Sequence, residues 1–364
     1  MGISFFTFQQ VSYLVDTYRG ETKDYKFIEY AAFVSFFPQL VAGPIVLHDE
    51  LIPQFRNESN KIFNHENFAN GIYDFAVGLF KKVLIADTFG RAVSWGWSNV
   101  DTLTAMEIGI VMLSYTFQIY FDFSGYCDMA VGIGKMFNIE LPINFNSPYK
   151  ACSIQEFWKR WHITLTRFLR KYVYFPLGGS KKGVLRTYVN ILIVFLLSGI
   201  WHGANWTFVL WGVLHGIAQV LNRIFRKKWD KCNQVFRWIL TFAFVNVMWL
   251  LFRSDSVGQA VELLKHFIMM ESLDVRDELC NTFILPEINY MVDYIKPVAY
   301  LRDKIDGFYM WGALWIALFS CLNLPNIHEQ EFKPSFGKVL ITSFLIVWSV
   351  VSLSGVSTFL YFNF

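Results

Sequence analysis

The sequence predicts an all-α, polytopic helical membrane protein with re-entrant or broken helices around a central tunnel. Composition is the first reason. Of 364 residues, 54% are hydrophobic and 19% aromatic, and the mean hydropathy is +0.34; soluble domains are only about 45–50% apolar. The second is that several apolar runs approach the ~20 residues that cross ~30 Å of hydrocarbon. The third is a break. The apolar run after Arg186 is interrupted at Trp201-His202-Gly203 and then resumes. An ionisable ring between two membrane-length segments is a functional-site candidate by default.

The same composition excludes other classes. The net charge is +3, and the basic residues are clustered beside membrane-length segments, so no surface suits a nucleic acid. The five cysteines (127, 152, 232, 280 and 321) are scattered and form no CxxC pair, which argues against a metal site and a disulfide framework. No basic region precedes the first apolar run, so no cleavable signal is expected.

Residues 1–18 are apolar and aromatic. A first candidate span, Phe27 to Ile45, is broken by Pro38 and by Gly43-Pro44, a kind of break that needs burial or a water-lined cavity. Residues 48–67 are polar. The segment Phe68 to Trp97 carries Lys81-Lys82 near its middle, which predicts a tilted or interfacial helix or contact with a polar cavity. Ala105 to Phe123 is apolar and leads into a shorter run ending at Phe137. Asp122 and Asp128 in this region read as helix caps or backbone partners, with a direct role as the alternative.

Ser153 opens a helix with a capping box, Ser153 at the N-cap and Glu156 at N3. Ile154, Phe157, Trp158, Trp161, Leu165, Phe168, Leu169 and Tyr172 then fall on one face. Lys159, Arg160, Arg167, Arg170 and Lys171 fall elsewhere, the pattern of a helix lying in the membrane interface. From Lys150 to Arg186 there are nine Lys/Arg and one acid, which puts this segment in the cytoplasm. Arg223, Arg226, Lys227, Lys228 and Lys231 put the next loop there too.

The chain between Arg186 and Arg223 must therefore enter and return. The inward arm, Thr187 to Ile200, has 14 residues, about 21 Å of helix. It is too short to cross, so His202 is expected inside the membrane at or beyond its middle. Gly199 and Gly203 would supply the flexible turn, and Ala204 to Leu221 would return. Phe236–Phe252 then leaves the cytoplasm. Residues 253–307 hold ten acids against six basic residues, which suits an extracytoplasmic loop. Phe308–Leu322 returns and Gly337–Gly355 crosses again. No internal repeat or inverted symmetry is visible, which weakens a transporter reading.

Several stretches together resemble the membrane-bound O-acyltransferase family, in its bacterial alginate O-acetyltransferase type, with D-alanyl-transfer relatives more distant. They are Gly2-Ile-Ser-Phe-Phe-Thr-Phe-Gln9, with Tyr13 and Tyr18-Arg-Gly20; Phe37-Pro-Gln-Leu-Val-Ala-Gly-Pro44; Tyr120-Phe-Asp-Phe-Ser-Gly-Tyr126, with Asp128-Met-Ala130; Glu156-Phe-Trp-Lys-Arg-Trp-His162; Pro176-Leu-Gly-Gly-Ser-Lys181; and Trp201-His-Gly203. The match covers most of residues 1–255. Chains of this type carry further spans before the Gly-Ile-Ser-Phe-Phe stretch, so the expectation is one domain over 1–364 that lacks N-terminal spans. Its catalytic segment would be 153–216.

The resemblance implies an integral-membrane O-acyltransferase of the bacterial inner membrane. Acetyl-CoA or an acyl-carrier thioester would be the donor, and no cofactor would be held permanently. A hydroxyl of an extracytoplasmic polysaccharide would be the acceptor. A secreted acetyltransferase of the serine-hydrolase type would be the partner. The resemblance assigns catalysis to His202, with His162 as the second family histidine. A base must take the hydroxyl proton, and burial favours the neutral, basic imidazole. His202 would act as base or as a transiently acylated relay; the alternative is an imidazole satisfied by a backbone carbonyl. For His162 the alternative is snorkelling at the interface.

Lys159, Arg160, Arg167, Arg170 and Lys181 could attract the donor's phosphates or lipid headgroups. Trp158, Trp161 and Trp201 could line a tunnel for a pantetheine arm. His215 reads as helix packing, and His48, His65, His266 and His328 as loop residues without signal. A non-catalytic carrier or a scaffold in a polysaccharide export complex is the competing reading.

Overall fold

The structure is a computed structural model that describes residues 2–22, 24–40, 43–353 and 360. Met1, Val41-Ala42 in the Pro38–Pro44 break and the end of the last apolar stretch beyond Leu353 lie outside the described residues. Among the described residues every regular element is a helix, as the composition predicts.

Helix α1 (Gly2–Tyr18) lays Phe8 against Phe168 and Trp201, at ring separations of 4.4 and 5.2 Å. The expected span at Phe27–Ile45 is shorter than a crossing. Helix α2 (Phe27–Ser35) has nine residues, about 14 Å. It ends where Phe36 turns extended, with φ/ψ of −64/98°, and a 3-10 turn at Phe37–Gln39 follows with Pro38 in its first turn, where a missing N–H costs nothing. Helix α3 (His48–Arg56) follows. His48 is therefore not a loop residue without signal: it is 1% exposed, with Nε2 3.1 Å from Asp16 Oδ2 and Nδ1 3.1 Å from the Tyr25 hydroxyl.

Asn64 caps helix α4 (His65–Phe80) by accepting from Glu66 N and Asn67 N. A π-helical turn at Lys81–Ala86 leads into α5 (Asp87–Ser98). This whole rod packs antiparallel on α6 (Ala105–Met136), whose 32 residues make about 48 Å. Glycines let the backbones touch: a Cβ at Gly71 would lie 2.4 Å from Gly132 O, and one at Gly78 would lie 2.5 Å from Gly125 O.

That contact explains the mid-segment lysines. Lys82 Nζ lies 2.6 Å from Asp122 Oδ1, and Lys81 Nζ 2.6 Å from Asp128 Oδ2. The two acids are interior positions of α6 and cap no helix; Asp122 does bond a backbone group, accepting Leu360 N at 3.1 Å, and both acids neutralise charges that hydrocarbon would otherwise surround. His328, from the turn at Ile327–Glu329, donates through Nε2 to Asp128 Oδ1 at 2.9 Å. It too is a buried partner, not a loop residue without signal.

The predicted interfacial helix is two helices, α7 (Ile154–Arg160) and α8 (Ile163–Leu169), broken at Trp161-His162. Ser153 is the N-cap, as expected, accepting from Glu156 N, but the Glu156 carboxylate reaches Cys152 N rather than Ser153 N.

Helices α9 (Val184–His202) and α10 (Trp206–Ile224) form the expected hairpin. Each arm has 19 residues, about 28 Å, close to the hydrocarbon thickness. His202 thus ends a span-length helix instead of interrupting a 14-residue arm. The turn is Gly203-Ala204-Asn205, and Gly199 is not part of it. A Cβ at Gly199 would lie 2.4 Å from Phe208 O, and one at Gly212 would lie 2.3 Å from Phe195 O. Those glycines let the arms pack backbone to backbone.

Helix α11 (Arg226–Trp229) caps the basic end, and α12 (Gln234–Arg253) packs beside α10 through Trp249 on Trp211. The acidic segment folds into α13 (Val257–Met269), α14 (Asp277–Asn281), α15 (Pro286–Tyr294) and α16 (Lys296–Lys304). Helices α17 (Phe308–Asn323) and α18 (Phe336–Val351) complete the described chain. Val184–His202, Gln234–Arg253 and Phe308–Glu329 are each long and apolar enough to cross a membrane.

Candidate active site

The two candidate histidines share one indole neighbour. Trp201 is 4.6 Å, ring to ring, from His202 and 6.2 Å from His162. His202 reaches this place as the last residue of α9. Its ring is walled by Trp211 at 5.3 Å and Phe252 at 5.0 Å, both edge to face, and by Phe208 at 6.4 Å.

His162 reaches it through a strained backbone. Its φ/ψ of 44/52° is left-handed, a region few non-glycine residues adopt, although histidine is among those enriched there. Such outliers persist where the surroundings over-determine them, and they cluster at active sites. The ring is 1% exposed, edge to face with Phe123 at 4.9 Å and stacked on Phe5 at 6.2 Å. Among the described residues neither ring nitrogen has a hydrogen-bond partner. A buried imidazole left this way is ready to bond something that enters the site. Snorkelling at an interface does not describe it.

A cavity of ≈ 500 Å³ separates α7–α8 from the α9–α10 hairpin. Exposed Lys159, Arg170 and Arg223 stand at its rim, and buried Trp158, Leu165 and Ser198 at its depth. Ser198 lies one helical turn before His202. A basic mouth narrowing into an apolar shaft suits a ligand with an anionic head and a slender arm.

The other predicted binding residues divide sharply. Arg167 is bound internally, to both Glu50 carboxylate oxygens and to Ile45 O at 3.1 Å. Arg160 is tied to Glu156 at 3.0 Å and to Asn146 O at 3.1 Å. Neither lines the cavity. Lys181 is exposed on the Gly-Gly-Ser turn, beside the lining residue Ser180. Trp158 does line the cavity, but Trp161 packs in the aromatic core, 4.9 Å from Trp249 and from Phe145.

Sequence reasoning used Arg223 only to orient the chain and did not single out Ser198 or Phe195 as cavity walls. Arg223 carried a signal, standing one arm length from His202 on the same hairpin. Asn144, which holds the break at His162, carried none. No group of three or more potential metal ligands occurs among the described residues.

A helical membrane scaffold that carries a basic-rimmed cavity one helical turn from His202, with His162 nearby, is the setting for chemistry inside a membrane. The chain belongs to the membrane-bound O-acyltransferase family, whose sequence model matches residues 3–255. It is 40% identical over 404 aligned positions to a peptidoglycan O-acetyltransferase of Helicobacter pylori, covering 100% of this chain and 74% of that one. It is 41% identical over 262 positions to a probable alginate O-acetylase of Azotobacter vinelandii, covering 71% of this chain but 52% of the relative. A teichoic acid D-alanyltransferase of Bacillus subtilis is 28% identical over 255 positions, which cover 66% of this chain and 62% of the relative.

Proposed function

We propose that the protein moves an acyl group, acetyl above all, from a thioester to a hydroxyl of a cell-envelope polysaccharide. The acceptor hydroxyl attacks the thioester carbonyl, the C–O bond forms and the C–S bond breaks. The hydroxyl proton leaves through His202 and ends on the departing thiolate, so no redox partner or metal is needed. The alternative within this chemistry makes His202 the relay: its imidazole takes the acyl group first and passes it on. His162, with two open ring nitrogens, would then orient the acceptor or steady the carbonyl oxygen.

The observation that carries the proposal is the cavity running from the Lys159–Arg170–Arg223 rim to Ser198, one turn from His202. Acetyl-CoA fits that polarity, its phosphates at the rim and its pantetheine arm along Trp158 and Leu165. A carrier-protein thioester would present the same arm. The positive-inside asymmetry supports a rim on the cytoplasmic side, in keeping with a multi-pass protein of a bacterial inner membrane. The names of the relatives support a peptidoglycan or other polysaccharide as acceptor. A secreted serine-hydrolase-type acetyltransferase would finish the transfer where the acceptor lies beyond reach of the membrane.

The test is to incubate membranes carrying this chain with labelled acetyl-CoA and envelope polymer, then to look for alkali-labile label on the polymer or on an added secreted acetyltransferase. Label on neither, from folded protein, contradicts the proposal. A carrier or scaffold would give that result.

A further inference from the structure

We infer that Asn144 is a positioning residue for His162: its amide oxygen caps α8 in place of His162, leaving the imidazole free to face the site. This rests on the reading that His162 serves the transfer reaction.

The first N–H groups of a helix need acceptors, and the N-cap residue ordinarily supplies one from its own side chain to N2 or N3. His162 is the N-cap of α8 and makes no such bond. The orphaned donor at N2 is Thr164 N. It is taken by Asn144 Oδ1 at 3.1 Å, from a loop 20 residues earlier. The same oxygen accepts the Thr164 hydroxyl at 2.7 Å. Thr164 Oγ1 in turn accepts Ile45 N at 2.9 Å, which ties the cap to the chain leaving the Pro38–Pro44 break.

The backbone on both sides of His162 is held by the same loop. Ile163 N donates to Asn144 O at 3.0 Å and Asn146 N donates to Arg160 O at 2.9 Å. His162 is the pivot between these two clamped stretches of chain, and its left-handed conformation joins them. Asn144 and Thr164 are each 1% exposed, so water cannot replace the bonds. Left-handed backbone is unfavourable for a residue with a Cβ, and the two buried hydrogen bonds to Asn144 Oδ1 offset it. Without the amide oxygen the helix start relaxes, and the imidazole loses its fixed approach to Trp201 and His202.

The test uses the full-length chain in liposomes with acetyl-CoA as donor. Asn144→Ala, Asn144→Asp and Thr164→Val are compared for kcat, donor KM and Tm. Displacing a catalytic group by an ångström can lower turnover on the order of 10²-fold. Folded N144A is therefore expected to lose kcat on that order, with donor KM within about twofold. N144D keeps the acceptor oxygen and is expected to recover most of the rate. In a His162→Ala background N144A is expected to lower kcat no further.

Wild-type kcat in folded N144A overturns the inference, as does an undiminished further loss in the His162→Ala background. If N144A does not fold, T164V decides, because it removes only the hydroxyl: reduced kcat supports the inference and wild-type kcat overturns it. A wild-type chain that transfers nothing defeats the functional reading itself, a result distinct from an active wild type with an unaffected N144A.

Discussion

Trp158 Nε1 donates to His215 Nδ1 across 3.2 Å of buried space between α7 and α10. The bond assigns the His215 proton to Nε2 and turns the one polar atom of Trp158 away from the cavity that its ring lines. The cavity thereby gains an apolar wall fixed to the same hairpin that carries His202. Removing either partner strands a buried polar atom, which costs about 1–3 kcal/mol. Trp158→Phe is expected to lower Tm and to raise donor KM together, read by thermal unfolding in detergent and by initial rates. An unchanged Tm contradicts the wall's dependence on this bond.

The rim and the internally paired arginines should respond differently to substitution. Lys159→Glu and Arg170→Glu are expected to raise donor KM about tenfold at low salt, with kcat retained and the effect shrinking as salt screens the rim. Arg167→Gln strips the Glu50 carboxylate of its guanidinium. It is expected to lower Tm and leave the salt dependence of KM unchanged. Kinetics at two ionic strengths separate these outcomes.

Lys82 and Asp122 form a pair at 2.6 Å, 9% and 3% exposed, and Lys82 also donates at 2.8 Å to the more exposed Asp87, which solvent can reach when the lysine is lost. Breaking a buried pair by removing one partner costs about 3–5 kcal/mol, because the other charge is left uncompensated. Lys82→Met alone is expected to abolish folded protein or lower Tm strongly. Lys82→Met with Asp122→Leu is expected to regain much of the loss. Fluorescence-detected size exclusion before and after heating reads both.

The hairpin tolerates no side chain where its arms touch. A Cβ at Gly212 would sit 2.3 Å from Phe195 O, so Gly212→Val must part α9 from α10. His202 hangs from that contact. The variant is expected to lose transfer by more than 10²-fold, while Gly312→Val, which meets nothing within 4 Å, is expected to stay active. Rates normalised to folded protein make the comparison.

Much of the fold is legible in the sequence. Hydropathy runs set its class, the basic clusters set the α9–α10 hairpin, and the break at 201–203 set the hairpin's turn beside His202. What escaped depended on contacts between segments far apart in sequence. The amphipathic stripe through Trp158, Trp161 and Leu165 continues across the break at His162, because period alone does not register one left-handed residue. Arg167 and Lys159 look alike in sequence, but only Arg167 meets an acid, Glu50, 117 positions away. His48 and His328 sit in polar surroundings along the chain, yet their partners Asp16 and Asp128 come from other helices. The Gly199 position reads as a turn from composition; its use as a contact needs the opposing Gly212.

The central claim is that one imidazole, at the end of α9, carries the transfer. Its most direct measurement is acetyl transfer from labelled acetyl-CoA by purified wild type and His202→Ala in liposomes, with each rate divided by the amount of folded protein. The account predicts transfer at background level from His202→Ala with an unfolding temperature near wild type; transfer at the wild-type rate would contradict it.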